Sequence, residues 1–369
     1  MRIGIDASRT AASHRTGTEY YSLRLINELL AQDEDDEFVL YFRSPPSAAD
    51  FAFGDRARAR VIPFPRLWTH ARLSWEMLTR PPDLLFVPAH VLPLIHPSRS
   101  VVTVHDLGYL YHRHAHRTFD WVYLHLSTGY NARSATRVLA DSEATKNDLV
   151  LHYGINPDKI ATVHLAHDER FRPIEDAELV EATKRKYEIS GSYLLCLGTI
   201  QPRKNLAGTL SAYSALKRRL GKAPKLVLVG KRGWLSQGIF KQVRAVGIDD
   251  DVVFTGYVAD EDLPPLLSGA LALVFASLYE GFGLPALEAM ACGTPLIASN
   301  LSSLPEVVGD AGLLVDPHDA RAIADAMVEV CTDANLRQRM REKGLARASL
   351  FSWKRCASET LRVLREAGR

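Results

Sequence analysis

The sequence predicts an α/β protein made of two parallel-sheet units in tandem, and three observations carry that prediction. Short apolar runs alternate with longer amphipathic stretches along the whole chain, the pattern of strands joined by crossover helices. At 369 residues the chain is too long for one small core and suits two domains of ordinary size. After HLAHDERFRP the apolar pattern lapses into the charged, helix-prone IEDAELVEATKRKYEIS and resumes at YLLCLG, which puts a domain boundary near Pro173.

In the first unit the expected strands are RIGIDA, FVLYF, RVIPF, DLLFVPA, SVVTVHD, TRVLADS and KIATVHL. Helical stretches lie between them, including residues 19–30 and 143–153. The second of these has Ser142 as its N-cap and Gly154 at the position after its last turn. In the second unit the strands are YLLCLG, KLVLVG, VVFTG, LALVFA, PLIAS and GLLVD. The domains are therefore 1–172 and 173–350, followed by an amphipathic helix over 351–369 that no strand follows. Two such units favour a ligand cleft between them, because parallel strands present their carboxyl ends to one edge.

Composition excludes several classes. The 45 basic and 43 acidic residues leave a formal charge of +2, too little for a polyanion-binding surface, so no nucleic acid partner is expected. The four cysteines are widely spaced with no C-x-x-C pair, which argues for reduced thiols and against a zinc site. Asp6 arrives before any apolar stretch long enough for a signal peptide, and no later run approaches a membrane span, so a cytoplasmic location is expected. One segment, RLWTHARLSWEMLTR, has the composition of an interfacial helix and leaves peripheral membrane contact open. The alternative is a surface helix whose apolar stripe packs on the core.

The chemistry concentrates after LALVF, in LYEGFGLPALEAMACGTPLIAS. Gly281 and Gly283 permit a tight turn, Pro285 suits the first position of a helix over 285–291, and Gly293 terminates it. Glu280 then sits in the loop at a strand's carboxyl end and Glu288 one turn into the following helix. The backbone amides of Phe282, Gly283 and Leu284 open that helix, where the dipole favours acceptors and anions. Two carboxylates flanking such a turn supply acceptors for pairs of sugar hydroxyls. In LGTIQPRKNLAGTL, Arg203 and Lys204 stand before a helix start with Asn205 as N-cap. Positive charge there opposes the dipole unless an anion is bound.

The pattern E-G-F-G-L-P-x-L-E-A-M-A-x-G-x-P closely resembles the signature of the retaining nucleotide-sugar glycosyltransferases of family four, and the resemblance extends over nearly the full chain. It implies the GT-B fold, two Rossmann-like domains facing across a cleft, with the C-terminal helix returning to the first. It also implies roles. Glu280, helped by the amides of Phe282, Gly283 and Leu284, binds the donor sugar, and Glu288 binds the ribose. Arg203 and Lys204 grip the diphosphate in place of a metal, so neither metal nor cofactor is implied and the nucleotide sugar is a co-substrate.

LVGKRG and FTGYV resemble the nucleobase loops, with backbone groups of Tyr257 and Val258 at the base edge. RTGTEYY resembles the glycine-rich turn in which Gly17 approaches the phosphates; Thr18 departs from the usual second residue. VVTVHDLGYL resembles the strand-end His-Asp of the family's polysaccharide-assembly branch, which implies that His105 lies near the reaction centre, and Ala166-His167-Asp168 stands where many relatives have Gly-x-Asp. The implied reaction is retaining hexosyl transfer, from GDP-mannose first and UDP-glucose next, to a glycan or lipid-linked glycan. The competing readings are another GT-B enzyme (an epimerase or phosphorylase), a non-catalytic sugar-nucleotide sensor, and a nicotinamide-dependent oxidoreductase. The last rests on GFGLPA, which formally fits G-x-G-x-x-A, but Asn300 ends the next strand where an acid is required.

Overall fold

The computed structural model describes residues 1–10, 17–33, 35–47, 50–51, 53–89, 91–113, 118–233 and 237–369. Two compact units emerge: Met1–Ala166 with Ser352–Arg369, and His167–Phe351. The residues on either side of Pro173 go with the second unit because they bond there: Arg170 to Asp260 at 3.1 Å, and the Ile174 backbone amide to Ser268 Oγ at 3.0 Å.

The first unit contains β1 (Arg2–Asp6), β2 (Glu37–Phe42), β3 (Ala57–Val61), β4 (Leu84–Val87), β5 (Ser100–Val104), β6 (Arg137–Ala140) and β7 (Ile160–Thr162). All pairs are parallel, in the order β3-β2-β1-β4-β5-β6-β7. Central strands β4 and β5 are buried throughout, as strands covered on both faces must be, and so they read as predominantly apolar runs, broken only by Ser100 and Thr103 of β5. β3 differs from the expected RVIPF: it begins three residues earlier, at Ala57, and Pro63, which has no N–H for the ladder, lies outside it. It is one of the sheet's two edge strands, and its alternating arginines hide it from an apolar search.

Residues 66–80 also depart from a single amphipathic helix. A π-helical turn, Trp68–Leu73, runs into a short α-helix, Ser74–Thr79. Trp68, Leu73 and Met77 enter the core, whereas Leu67, Trp75 and Leu78 stay outside. The helix Glu143–Tyr153 matches its expected bounds: the Thr145 amide donates to Ser142 Oγ, and Gly154 takes the left-handed conformation.

The second unit contains β8 (Tyr193–Leu197), β9 (Lys225–Val229), β10 (Val252–Gly256), β11 (Ala272–Phe275), β12 (Leu296–Ser299) and β13 (Leu313–Val315), ordered β10-β9-β8-β11-β12-β13 and again parallel. The order reverses between β8 and β11, and in open parallel sheets the crevice at such a switch point is where ligands bind. The helix Trp353–Gly368 packs in the first unit against helix Gly17–Gln32. Arg365 there reaches Asp33 and Asp36 at 3.1 and 3.2 Å.

Candidate functional site

The loops that leave β8 and β11 carry the two signature segments, so the switch point itself brings Arg203, Lys204 and Glu280 together. Lys204 Nζ donates to Glu280 Oε1 at 2.6 Å and Arg203 to Oε2 at 3.2 Å. Arg203 also donates to the Tyr279 carbonyl at 3.1 Å, and the Leu278 amide donates to the Arg203 carbonyl, stitching the loops side by side. Lys204 lies over the Phe275 ring at 4.7 Å. Burial pushes the Glu280 carboxyl up, but Lys204 and Arg203 outweigh it and hold the group below its ordinary value. The buried Glu280 thus stays a carboxylate between two basic side chains.

Backbone shape makes this possible. Register pairs Leu197 with Val229, so Gly198 and Gly230 leave their strands as neighbours. Both have positive φ, and a Cβ on Gly230 would lie 2.0 Å from the Gly198 carbonyl oxygen. No side chain fits there. Across the crevice, Gly283 has φ 101°, and a Cβ would meet Leu304 Cδ2 at 2.6 Å. The helix after it spans Leu284–Ala291 with Pro285 in its first turn.

Two residues not singled out from the sequence fix the Glu280 loop. Ser303 Oγ donates to the carbonyls of Glu280 and Phe282 at 2.9 and 2.8 Å, and Ser302 Oγ donates to the Glu280 carbonyl while accepting from its amide. Phe282 is buried, edge-on to Phe351 at 5.9 Å.

Glu288 is partly buried and set apart from the three-residue cluster. Its surroundings are Arg170, Asp260 and Asp168; burial pushes its carboxyl up to about 7, with Arg170 opposing and the two aspartates reinforcing. Asp168 and Arg170 belong to the AHDERF departure, so that segment supplies the environment of the second glutamate. Tyr257 is exposed with Lys231 over its ring at 4.7 Å, whereas Val258 is buried. Asn205 occupies the position before helix Leu206–Leu220 but does not cap it. Its backbone is left-handed, and its side-chain Nδ2 donates to the Pro317 carbonyl at 2.6 Å. A cap needs extended backbone at that residue, which φ 52° denies it.

In the first unit, Gly17 begins helix Gly17–Gln32; Arg15 and Thr16 of its turn lie outside the described residues. One turn on, Tyr21 packs edge-on to His105 at 4.8 Å. Both ring nitrogens of His105 are engaged, Nδ1 with Asp141 Oδ2 at 2.7 Å and Nε2 with the Pro88 carbonyl at 2.9 Å. A carbonyl only accepts, so Nε2 carries hydrogen, and one further proton lies between Nδ1 and the carboxyl. Burial alone would strip the ring, but Asp141 outweighs it and His105 stands above the ordinary histidine value. The pairing follows from sheet register: Val104 pairs with Ala140, so the residues after these strand ends are neighbours.

Comparison with known proteins agrees with this geometry. Residues 15–170 match the model described as Glycosyltransferase Family 4, and residues 181–347 match Glycosyl transferases group 1. The chain is 33% identical over 364 residues to the O-antigen chain mannosyltransferase B of Escherichia coli, covering 94% of this chain and 95% of that one. Among solved structures, sucrose-phosphate synthase from Thermosynechococcus elongatus superposes with TM-score 0.75 at 20% identity, covering 99% and 98% of the two chains. HepE of Anabaena, in complex with UDP and glucose, gives TM-score 0.75 at 16% identity over 99% of this chain and 100% of that one. Two parallel sheets, a charged triad at the second sheet's switch point and two family models covering nearly the whole chain lead to one conclusion: the chain belongs to the group 1 glycosyltransferases of family 4, with their GT-B fold.

Proposed function

We propose that this glycosyltransferase moves a hexose, mannose before glucose, from a nucleoside-diphosphate sugar to a hydroxyl of a growing glycan, retaining the anomeric configuration without a metal ion. The observation that carries the reading is the Lys204–Glu280–Arg203 cluster at the switch point. Two cations match a leaving diphosphate, and charge-assisted bonds to it are worth about 1.5–3 kcal/mol each. Glu280 offers its carboxylate to donor-sugar hydroxyls and Glu288 to the ribose.

Retention by double displacement needs a nucleophilic carboxylate and a protonated partner. Glu280, held ionised by two cations, is a poor acid. Front-face displacement suits the cluster better. The acceptor oxygen bonds to the anomeric carbon as the carbon–phosphate oxygen bond breaks, and the acceptor proton passes to the departing diphosphate, whose charge Arg203 and Lys204 stabilise. Support for mannose and for a glycan acceptor comes from the O-antigen relative. The acceptor is proposed to be lipid-linked and met at the inner face of a membrane, by a protein whose four cysteines are all unpaired. Among the described residues, no helix is long and apolar enough to cross a bilayer.

A thermal-shift screen of nucleoside diphosphates and their sugars tests the donor, since a ligand at a hundred times its Kd stabilises by about 2.7 kcal/mol. GDP and GDP-mannose are expected to shift the transition most. A larger response to UDP-glucose reassigns the donor, and no response to any member rejects the reading. Product linkage analysis by NMR decides retention, and turnover after chelation decides metal independence.

A further inference from the structure

We propose that one face of the first unit, formed by residues 67–79, the 93–95 loop and the helix Thr118–Ser134, is a docking surface for an anionic lipid bilayer. The three elements are joined side by side. His70 Nε2 meets Tyr123 Oη at 3.3 Å, Tyr130 Oη donates to the Pro93 carbonyl at 3.2 Å, and the Ile95 amide donates to Ser74 Oγ at 3.2 Å. Their inward side chains fill the core, yet large apolar ones point outward. Leu67 is 71% exposed, Trp75 60%, Phe119 80% and Leu126 65%. Phe119, Val122, Tyr123 and Leu126 are spaced i, i+3, i+4, i+7, so the helix shows solvent a second apolar stripe besides the one it buries. Leu67 also adopts a left-handed backbone, with φ 54°, a strained setting for an exposed leucine.

Charge selects the occupant. Residues 56–80 contain six arginines and a single acid, Glu76. That acid is buried, held by Arg60 at 2.7 Å and Arg72 at 3.2 Å, so it cancels nothing on the outside, where Arg56, Arg58, Arg66 and Arg80 are exposed. The helix Thr118–Ser134 adds one acid, Asp120, and one base, Arg133, so the balance of the face stays positive, and the exposed Arg66 and Arg80 flank residues 67–79 directly. A polyanion would meet the arginines but offer no hydrocarbon for Phe119 and Leu126. A second copy of this chain across a twofold axis would set like charge against like. An anionic bilayer satisfies both features, taking aromatic and aliphatic groups below its headgroups and arginines among them. The proposal deepens the reading of a membrane-held acceptor and can fail separately from it, because its test contains neither donor nor acceptor.

The full-length protein is sedimented with vesicles of mixed phosphatidylglycerol and phosphatidylcholine, and with phosphatidylcholine alone. Binding to the mixed vesicles and little to the neutral ones is expected. Phe119→Ser with Leu126→Ser, and separately Trp75→Ser with Leu78→Ser, should each weaken it at least about tenfold. Arg66→Gln with Arg80→Gln should weaken it and flatten its salt dependence. All six positions are exposed, so the thermal transitions should match that of the unchanged protein. Quenching by brominated lipid that disappears in Trp75→Phe would place Trp75 in the bilayer. No sedimentation with either vesicle, equal binding to both, or retention by all three double variants overturns the proposal. Concentration-dependent dimerisation abolished by the same substitutions also overturns it, in favour of a second copy.

Discussion

Lys204 Nζ lies 2.6 Å from Glu280 Oε1, so the cation assigned to the leaving diphosphate and the carboxylate assigned to the transferred sugar are bonded to each other across the crevice. On the proposed reading a donor comes between partners that already satisfy one another, so each should tune the other's affinity for ligand.

Glu280→Gln should lower turnover about ten- to a hundredfold, the worth of one charged hydrogen bond. Free nucleoside diphosphate should bind at least as tightly as before, since Arg203 and Lys204 lose a competing anion. Initial rates and titration calorimetry read the two effects, and a parallel loss of diphosphate affinity counts against the arrangement.

Lys204→Ala should cut turnover by about 10²–10³ while circular dichroism stays native, as expected when one preorganised charge facing the leaving group is removed. Near-normal activity would reject that role.

Glu288 should make nucleotide binding pH-dependent. With its carboxyl pushed up to about 7, ribose hydroxyls gain an ionised acceptor only as pH rises through that value, so affinity should climb from pH 6 to 8. Stability runs the other way. A carboxyl whose folded value is raised contributes stability that is full below its unfolded value near 4.5 and is lost as pH rises through about 7. The loss amounts to about 3 kcal/mol at most. Glu288→Gln should abolish the affinity slope and raise the melting temperature at pH 8 but not at pH 4.

Gly283→Ala should destabilise the protein by about 2–4 kcal/mol, from a positive φ together with a contact 2.6 Å from Leu304. In a denaturant double-mutant cycle, Leu304→Ala should relieve part of that cost, so the double variant loses less than the sum of the singles.

Asp141→Asn should lower the pKa of His105, because Asp141 is what offsets burial of the ring. Imidazole NMR should show His105 titrating above the ordinary histidine range in the unchanged protein and at lower pH in the variant. Identical titration curves would break the link.

Elements buried on both faces are legible because such strands are mostly apolar runs; β3 is displaced because an edge strand of alternating Ala and Arg has none. The signature residues were legible for a similar reason: turn chemistry and charge sit within one short segment. What escaped was everything set by sheet register or by distant loops. Asp141 meets His105 across neighbouring strand ends, and Ser302 and Ser303 hold a loop some twenty residues away in the chain. The direct bond between Lys204 and Glu280 escaped too, since each was read against a different part of the ligand. Residues 66–80 were ambiguous because their apolar side chains divide between core and solvent, which no single periodicity describes.

The helix Trp353–Gly368 completes the first unit, although the whole second unit precedes it in the chain. During synthesis the earlier-made unit therefore waits with an unfilled berth until its closing helix emerges, while the later-made unit already has all its parts. Ribosome stalling or nonsense truncation ahead of residue 353 should leave a folded second unit tethered to an incomplete, chaperone-dependent first unit.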